Sequence, residues 1–259
     1  MDEILYSVDA HVATITINRP ADMNTISGPM LDALSARLVE ADADPDVRVV
    51  VLTGEGRIFC AGLDLRSGLK GLMQGQGMPP TIDLRNTPPT ILFDMDKPTL
   101  CALNGAAAGY GLDLAICCDM RIAGESARLV PGFAKRGILP ESGGTWHLPR
   151  LLGWAKAAEI CFTGRTLSSA ESLALGLVNE VVPDAELADR ARALALEIAA
   201  NAPLAVQATK RMMRMGQSET FRDHVHHVYL QLLPLAMSED AREGMTAFME
   251  KRPATFHGR

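Results

Sequence analysis

The chain has 259 residues, of which 47% are hydrophobic and 22% charged, enough for one large core with or without a smaller appended region. Its 25 lysine and arginine residues against 31 aspartate and glutamate residues give a net charge of -6, which disfavours general nucleic-acid binding. No apolar stretch approaches the roughly 18 residues that a membrane helix needs, so no membrane partner is expected.

The first residues and the cysteines indicate a cytoplasmic protein. The acidic N-terminal segment lacks the positive region of a signal peptide. The five cysteines are odd in number and form no C-x-x-C pair, which predicts buried thiols in a reducing compartment.

The first third of the chain predicts strands mixed with a helix. Residues 12–17 (VATITI) are β-branched and alternate in polarity, which predicts a strand. Ser27 can cap a helix whose apolar residues recur at helical spacing as far as Val39. Residues 47–52 (VRVVVL) predict a second, buried strand.

The middle of the chain begins with a predicted loop. Residues 67–89 are rich in glycine, proline and polar side chains and show little periodicity. The pattern then predicts a helix over 90–94, a strand over 98–103, a small-residue turn over 105–111, a helix over 112–118 and a strand over 120–123.

The remainder of the chain is predominantly helical. Helices are predicted over 145–152, 155–161, 169–176, 184–200, 202–213, 219–233 and 238–250. A strand–turn–helix half followed by a helical half predicts a repeated ββα core with a helical C-terminal region.

The common nucleotide-binding, hydrolase and zinc-protease motifs are absent from the sequence. His224, His226 and His227 lie close together in a predicted helix. Their spacing does not place three ligands on one face and no acidic partner is evident, so a metal site is disfavoured.

Two segments of small residues adjoin predicted strands. They are residues 59–65 (FCAGLDL) and residues 104–114 (NGAAAGYGLDL). Small residues let a ligand approach the main chain, and free N–H groups at the start of a helix favour negative charge. On physical grounds these segments are either ordinary tight turns or an anion-stabilising site.

Four motifs, in order along nearly the whole chain, resemble those of the crotonase superfamily, the enoyl-CoA hydratases and isomerases. They are Asn18-Arg19-Pro20 with Asn24 and Ser27, residues 51–54 (VLTG) through 59–65, residues 104–105 (NG) through 113–119 (DLAICCD), and residues 243–253 (EGMTAFMEKRP).

The resemblance implies an α/β fold, a crotonase-like spiral of ββα repeats with a helical C-terminal region. Residues 1–199 are expected to form the spiral core that binds acyl-CoA and carries out catalysis. Residues 200–259 are expected to form a helical oligomerisation region, giving a homotrimer or a dimer of trimers. The expected partner is an acyl-CoA thioester, and no cofactor is expected because coenzyme A is part of that substrate.

The resemblance also assigns two backbone N–H groups to an oxyanion hole, those of Leu63 and Tyr110. Tyr110 replaces the middle glycine of the family's three-glycine run, and its side chain either narrows the acyl pocket or brings a hydroxyl near the ligand. Two aimed N–H donors stabilise an enolate oxygen more than the starting carbonyl. Further substrate- or CoA-binding positions are Asn24, Ala61, Gly62, Asp64, Leu65, Arg66, Gly109 and Phe133.

The acidic positions decide which reaction follows the enolate. Family hydratases use two glutamates, and here those positions hold Asp113 and Phe133. Phenylalanine cannot carry a proton, which counts against hydration. Glu141 lies where family isomerases carry their acid or base, and we predict it as the principal acid/base, its pKa raised by an apolar pocket. Asp113 is either its partner or a structural acid near the helix start.

These observations predict an enoyl-CoA hydratase/isomerase family enzyme of fatty-acid or aromatic-acid CoA metabolism, with double-bond isomerisation favoured. The first alternative is an enoyl-CoA hydratase that converts 2-enoyl-CoA to 3-hydroxyacyl-CoA. The second is an acyl-CoA binder without catalytic activity.

Overall fold

The computed structural model of the protein describes residues 2–64 and 86–259. The described strands are β1 (Ile4–Asp9), β2 (Val12–Ile17), β3 (Val49–Gly54), β4 (Ile58–Cys60), β5 (Thr99–Leu103), β6 (Ala106–Ala108), β7 (Met120–Gly124), β8 (Arg128–Val130), β9 (Leu167–Ser168) and β10 (Glu180–Val182). The described α-helices are α1 (Gly28–Ala43), α2 (Pro88–Asp94), α3 (Tyr110–Cys117), α4 (Gly144–Leu152), α5 (Trp154–Thr163), α6 (Ser169–Ala174), α7 (Leu187–Ala199), α8 (Pro203–Met215), α9 (Phe221–Ala236) and α10 (Glu239–Glu250).

Two sheets organise the described part of the chain. The larger sheet has the order β1-β2-β3-β5-β7-β10, in which only the β1–β2 pair is antiparallel. The smaller sheet has the order β4-β6-β8-β9, with a parallel β4–β6–β8 ladder. From β3 to β8, strands of the two sheets alternate along the chain, as the predicted ββα repeat requires. The fold is therefore the mixed α/β architecture that the sequence predicts.

The central strands β3 and β5 of the larger sheet are buried on both faces, which explains their nearly continuous apolar runs. Alternate residues of β3 point to opposite faces, so Val50 and Leu52 join one core cluster while Val49 and Val51 join the other. The first cluster also contains apolar residues of α1, α2 and α3. The second is closed by α7, whose residues Leu187, Ala191, Ala195 and Ala199 are buried.

Most elements with a strong apolar pattern are confirmed. The strand over 12–17 has the predicted bounds, and α1 begins after Ser27, whose Oγ accepts a hydrogen bond from the Met30 N–H at 3.4 Å. The seven predicted C-terminal helices are present with shifts at their ends, including a separate single turn at Asp184–Glu186 before α7. The loop predicted over 67–89 lies largely outside the described residues, and α2 begins within it at Pro88.

The last two described helices are poorly covered by the rest of the chain. Helix α9 has no buried residue and packs mainly on α8. Both α9 and α10 present large exposed apolar side chains, namely Phe221, Tyr229, Leu230, Leu232, Leu233, Met245, Phe248 and Met249. None of the helices within residues 2–64 and 86–259 is long and apolar enough to cross a membrane.

Candidate active site

The start of α3 lies directly against the end of β4. A Cβ atom on Gly111 would overlap the main-chain carbonyl of Cys60, so any larger residue would push the two segments apart. The first turn of α3 therefore needs glycine at this position. The packing brings the amino end of α3 to the strand exit that carries residues 61–64.

Gly62 also lies close to the main chain at the start of α3. Its φ of 106° is a conformation that favours glycine, and a Cβ there would lie 3.1 Å from the Ala108 carbonyl oxygen and 3.7 Å from the Tyr110 nitrogen. Residue 62 thus lies beside the Tyr110 amide, and Leu63 follows it directly. The two predicted oxyanion-hole segments are neighbours in space.

The amides of Leu63 and Tyr110 donate no hydrogen bond to any partner within residues 2–64 and 86–259. Leu63 forms a parallel bridge with Ile26, in which the Ile26 N–H bonds the Gly62 carbonyl and the Asp64 N–H bonds the Ile26 carbonyl. The Leu63 N–H therefore points away from Ile26. Tyr110 is the first residue of α3, where an N–H has no partner inside the helix and the dipole favours an anion.

Asp113 lies one turn along α3 and is completely buried. One carboxyl oxygen accepts a hydrogen bond from the Ser142 N–H at 3.0 Å, and the Gly144 N–H at the start of α4 also acts on this carboxyl. Burial raises the pKa of Asp113 to about 7, the N–H groups of Ser142 and Gly144 lower it, and the nearby Glu141 charge raises it. This carboxyl can therefore change protonation state near neutral pH.

Glu141 is exposed on the turn that precedes α4. The prediction that an apolar pocket surrounds its carboxyl is therefore wrong, because the turn lies at the surface. Its charge acts on both Asp113 and the Tyr110 phenol, so the predicted acids are near each other. Of the two, Asp113 rather than Glu141 has the buried environment.

Phe133 and the Tyr110 side chain belong to the same apolar core cluster. Phe133 is 2% exposed and Tyr110 is 6% exposed. Burial raises the pKa of the Tyr110 phenol, so the phenol stays protonated at neutral pH. The Tyr110 hydroxyl has no hydrogen-bond partner in the described part of the chain.

The other predicted binding positions divide into two groups. Asn24 is fully buried, and its amide bonds the main chain of Arg19, Glu55 and Ile58, so we assign it a structural role rather than a contact with CoA. Asp64 pairs with the Arg19 guanidinium at 3.1 Å.

The remaining predicted positions lie on the main chain around the two amides or fall outside the described residues. The Ala61 N–H bonds the Met23 carbonyl, and the Gly109 carbonyl accepts the first hydrogen bonds of α3. Leu65 and Arg66 lie outside the described residues, so their predicted contacts with CoA stay predictions.

A cavity of about 820 Å³ lies at the far end of α3, between α2, α4 and α8. Its lining includes Cys117 and His147 but neither of the two amides nor either predicted acid. The length of α3, about 10 Å, separates the Tyr110 amide from this cavity. The two amides at the amino end of α3, rather than this cavity, are the candidate site, because cavity size alone does not identify chemistry.

The histidine cluster has an acidic partner that the sequence pattern did not predict. The Nδ1 atoms of His224 and His227 lie 3.1 and 2.9 Å from the two carboxyl oxygens of Glu219. Within the described ranges no group of three or more histidine, cysteine or acidic side chains is arranged to hold a metal ion.

Asp113 is held by a contact that the sequence pattern does not predict. Its partner is the main-chain N–H of Ser142, which comes from a different turn, and no side-chain type signals that contact. Together the site brings two free amides and a buried carboxyl to one end of α3. Such an arrangement can stabilise an oxyanion and exchange a proton with a carbon beside it.

Comparisons with known proteins match this chain over nearly its whole length. The family model for enoyl-CoA hydratase/isomerase matches residues 7–259. The (E)-benzylidenesuccinyl-CoA hydratase of Thauera aromatica is 37% identical, covering 98% of this chain and 99% of that protein. The 1,2-epoxyphenylacetyl-CoA isomerase of Escherichia coli (strain K12) is 35% identical, covering 100% of both chains.

A solved structure supports the same relationship at the level of the fold. The crystal structure of enoyl-CoA hydratase from Bacillus anthracis superposes with a TM-score of 0.91 at 32% identity, covering 100% of both chains. The match extends over the entire chain in sequence and in structure, and the chain belongs to the enoyl-CoA hydratase/isomerase family of the crotonase superfamily.

Proposed function

We propose that this protein moves the double bond of an acyl-CoA thioester through an enolate, with Asp113 and Glu141 as its acid/base pair. The observation that carries the proposal is the buried Asp113 carboxyl, with a pKa of about 7, one turn from the free Tyr110 amide. A second glutamate of the hydratase kind has no counterpart, since Phe133 occupies that position in the core.

The proposed reaction consists of two proton transfers, and the proton removed in the first is returned in the second. A carboxylate takes the α-proton of a 3-enoyl-CoA, and the electron pair moves onto the thioester oxygen. The N–H groups of Leu63 and Tyr110 stabilise that oxygen. The proton then returns to the γ-carbon, giving a 2-enoyl-CoA with no net gain or loss of atoms or electrons.

Burial favours Asp113 over Glu141 as the carboxyl that takes the proton from the substrate. A buried carboxyl with a pKa near neutrality is half protonated at working pH and can both take and give a proton. We propose Asp113 as the carboxyl nearest the reacting carbons, and Glu141 as the exposed partner that exchanges protons with water and tunes the Asp113 pKa.

Hydration is the second candidate. It is favoured by the Thauera aromatica relative, whose name is that of a hydratase, whereas the Escherichia coli relative is named as an isomerase. In this version the Asp113 and Glu141 carboxyls hold a water molecule against the β-carbon of a 2-enoyl-CoA.

Product analysis separates the two candidates. Purified protein is incubated with 3-hexenoyl-CoA and with 2-hexenoyl-CoA, and products are followed by absorbance and mass spectrometry. Isomerisation predicts 2-hexenoyl-CoA from the first substrate, with kcat lowered on the order of 10²- to 10⁴-fold in D113N. D189N, which changes an exposed acid on α7, should retain full activity.

The E141Q variant completes the test. We expect a smaller loss than in D113N, because the exposed carboxyl acts through water and through Asp113. Rapid formation of 3-hydroxyhexanoyl-CoA that survives both substitutions would contradict the isomerase proposal. An absence of any turnover or α-proton exchange in the wild-type protein would favour a binder without catalytic activity.

We further propose that residues 200–259 form the oligomerisation region of a homotrimer or a dimer of trimers. The support is the exposed apolar surface of α9 and α10. A cytoplasmic location and a role in fatty-acid or aromatic-acid CoA metabolism stay predictions from the sequence.

A further inference from the structure

The turn of residues 140–144, which leads into α4, is held against one face of α3. The Ser142 N–H donates to an Asp113 carboxyl oxygen at 3.0 Å, and the Gly144 N–H also acts on that carboxyl. The Ser142 carbonyl accepts a hydrogen bond from the Cys117 thiol at 3.5 Å. Asp113 and Cys117 are four positions apart on α3, so they lie on the same face of the helix. That face of α3 therefore binds the main chain of residue 142 through both its N–H and its carbonyl.

Gly144 is required by space and not by backbone conformation. Its φ is not positive, in contrast to the φ of 115° at Gly143. A Cβ atom on Gly144 would lie 2.5 Å from an Asp113 carboxyl oxygen and 2.6 Å from the Pro140 Cβ, distances that real Cβ atoms do not reach. Any side chain at residue 144 would therefore displace the Asp113 carboxyl or the turn.

The amino end of α4 favours the charged form of a carboxyl group. Gly144 is the first residue of α4, where N–H groups have no partner inside the helix and the dipole favours an anion. Hydrogen bonds from N–H groups stabilise a carboxylate more than a carboxylic acid. Accordingly, the N–H groups of Ser142 and Gly144 lower the pKa of Asp113, while burial raises it to about 7.

The other groups around the Asp113 carboxyl leave Glu141 as its charged neighbour. Tyr110 and Cys117 on α3 and Cys161 on α5 lie near enough for the Asp113 charge to raise their pKa values. Burial is the larger cause of each rise, so these three groups are neutral at neutral pH. The Glu141 charge raises the pKa of Asp113, against the N–H groups of the same turn. The position of this turn relative to α3 therefore sets the balance.

We propose that Gly144 is a positioning residue for Asp113: the space left by its missing side chain admits the carboxyl to the N–H groups at the start of α4, which fix the direction of the carboxyl and favour its charged form. This inference rests on the proposed function, in which Asp113 exchanges a proton with the substrate. Gly144 itself does not touch the reacting atoms.

Titration of the Asp113 carboxyl tests the proposal without any substrate. Infrared spectra of protein with isotope-labelled aspartate are recorded against pH, and D113N identifies the Asp113 band. The wild-type midpoint should lie near pH 7. In G144A the carboxyl loses hydrogen bonds that favour its charged form, so the midpoint should rise by about one pH unit. An unchanged or lower midpoint would overturn the proposal.

The pH dependence of kcat is the second measurement on the same variant. The acid limb of the profile with 3-hexenoyl-CoA should move upward in G144A as the infrared midpoint does, and kcat should change more than KM. A general structural defect would lower kcat without moving the limb, and that result would count against positioning. G28A adds the same methyl group where a Cβ meets nothing within 4 Å, and it should leave both the midpoint and the limb unchanged.

Hydrogen exchange of the wild type keeps the proposal falsifiable where G144A does not fold. The amides of Ser142 and Gly144 should exchange about 10-fold or more slowly than those of Ala155 and Lys156. The latter two lie in the first turn of α5, whose N-cap Gly153 has no side-chain cap, and neither amide donates to a partner within residues 2–64 and 86–259. Equal exchange rates at the two helix starts would overturn the proposal.

The outcomes separate this inference from the proposed function. A raised midpoint in G144A, in a protein whose wild type turns over no enoyl-CoA, would support the hold of Gly144 on the carboxyl and count against the proposed function. Isomerisation by the wild type with no shift in G144A would overturn the positioning role alone.

Discussion

At the scale of single residues, the chemistry depends on where carboxyl groups are buried. The motif pattern identified Asp113 and Glu141 as the candidate acids, but side-chain type does not reveal burial. Asp113 is enclosed because α3 packs in the core, whereas Glu141 lies on a surface turn before α4. Such differences arise from tertiary packing, which the spacing of residues along one chain does not encode.

The raised pKa of Asp113 predicts a pH-dependent stability. Its folded-state pKa of about 7 exceeds the ordinary value of 3.8, so the folded protein binds more protons than the unfolded chain between these values. Stability should therefore fall as pH rises from about 4 to about 7, by on the order of 4 kcal/mol. The D113N variant lacks this titrating group. Its free energy of unfolding, measured by chemical denaturation, should therefore vary less with pH, and at pH 8 D113N should be more stable relative to the wild type than it is at pH 4.

D189N provides the comparison for that profile, because it removes an exposed carboxyl from α7. Its dependence on pH should follow the wild type. If D113N and wild type lost stability in parallel between pH 4 and pH 8, the Asp113 carboxyl would not titrate in that window.

At the scale of secondary-structure elements, the sequence predicted the strands and helices whose residues show a clear hydrophobic period or propensity. β2 and β3 are β-branched, and α7 has a continuous apolar face, so period and propensity agree with the structure. The three-residue strands β4, β6 and β8 were not predicted. They exist because neighbouring turns of the spiral supply hydrogen-bond partners, and short runs such as Ala106–Ala108 carry no period of their own.

The close contact between the segment after β4 and the start of α3 predicts that adding one methyl group at Gly62 will lower activity. In G62A the new Cβ would meet the Ala108 carbonyl oxygen at 3.1 Å in a backbone conformation that alanine rarely adopts. The Leu63 and Tyr110 amides should shift relative to each other, lowering kcat by about 10²-fold or more while acyl-CoA still binds. Steady-state kinetics and circular dichroism would measure activity and folding.

G28A is the matched control for this substitution. Gly28 begins α1, and a Cβ there meets nothing within 4 Å. Alanine should leave activity unchanged and should not weaken the helix. Equal kcat values for G62A and wild type would show that the two amides do not need this close approach.

At the scale of the whole molecule, the exposed apolar surface is concentrated in the last helices. Phe221, Phe248 and Met249 are each about four-fifths exposed, at 83%, 82% and 79%. Large apolar patches of this kind mark protein–protein interfaces. We therefore propose this surface as the subunit interface of the predicted assembly.

This surface predicts that one charge will disrupt the assembly. Light scattering coupled to size exclusion should give a trimer or hexamer for the wild type and smaller species for F248D. F162D places the same charge on α5, where Phe162 is 75% exposed outside the C-terminal region. F162D should keep the wild-type mass. A monomeric wild type, or disruption by F162D alone, would contradict the assignment of residues 200–259.

The most direct measurement is a crystal structure of the wild-type protein with butanoyl-CoA bound. The two-amide site predicts the thioester oxygen at about 3 Å from both the Leu63 and Tyr110 nitrogens, with the α-carbon turned towards Asp113. A thioester oxygen bonded to other groups, with either nitrogen left distant from it, would contradict the enolate mechanism.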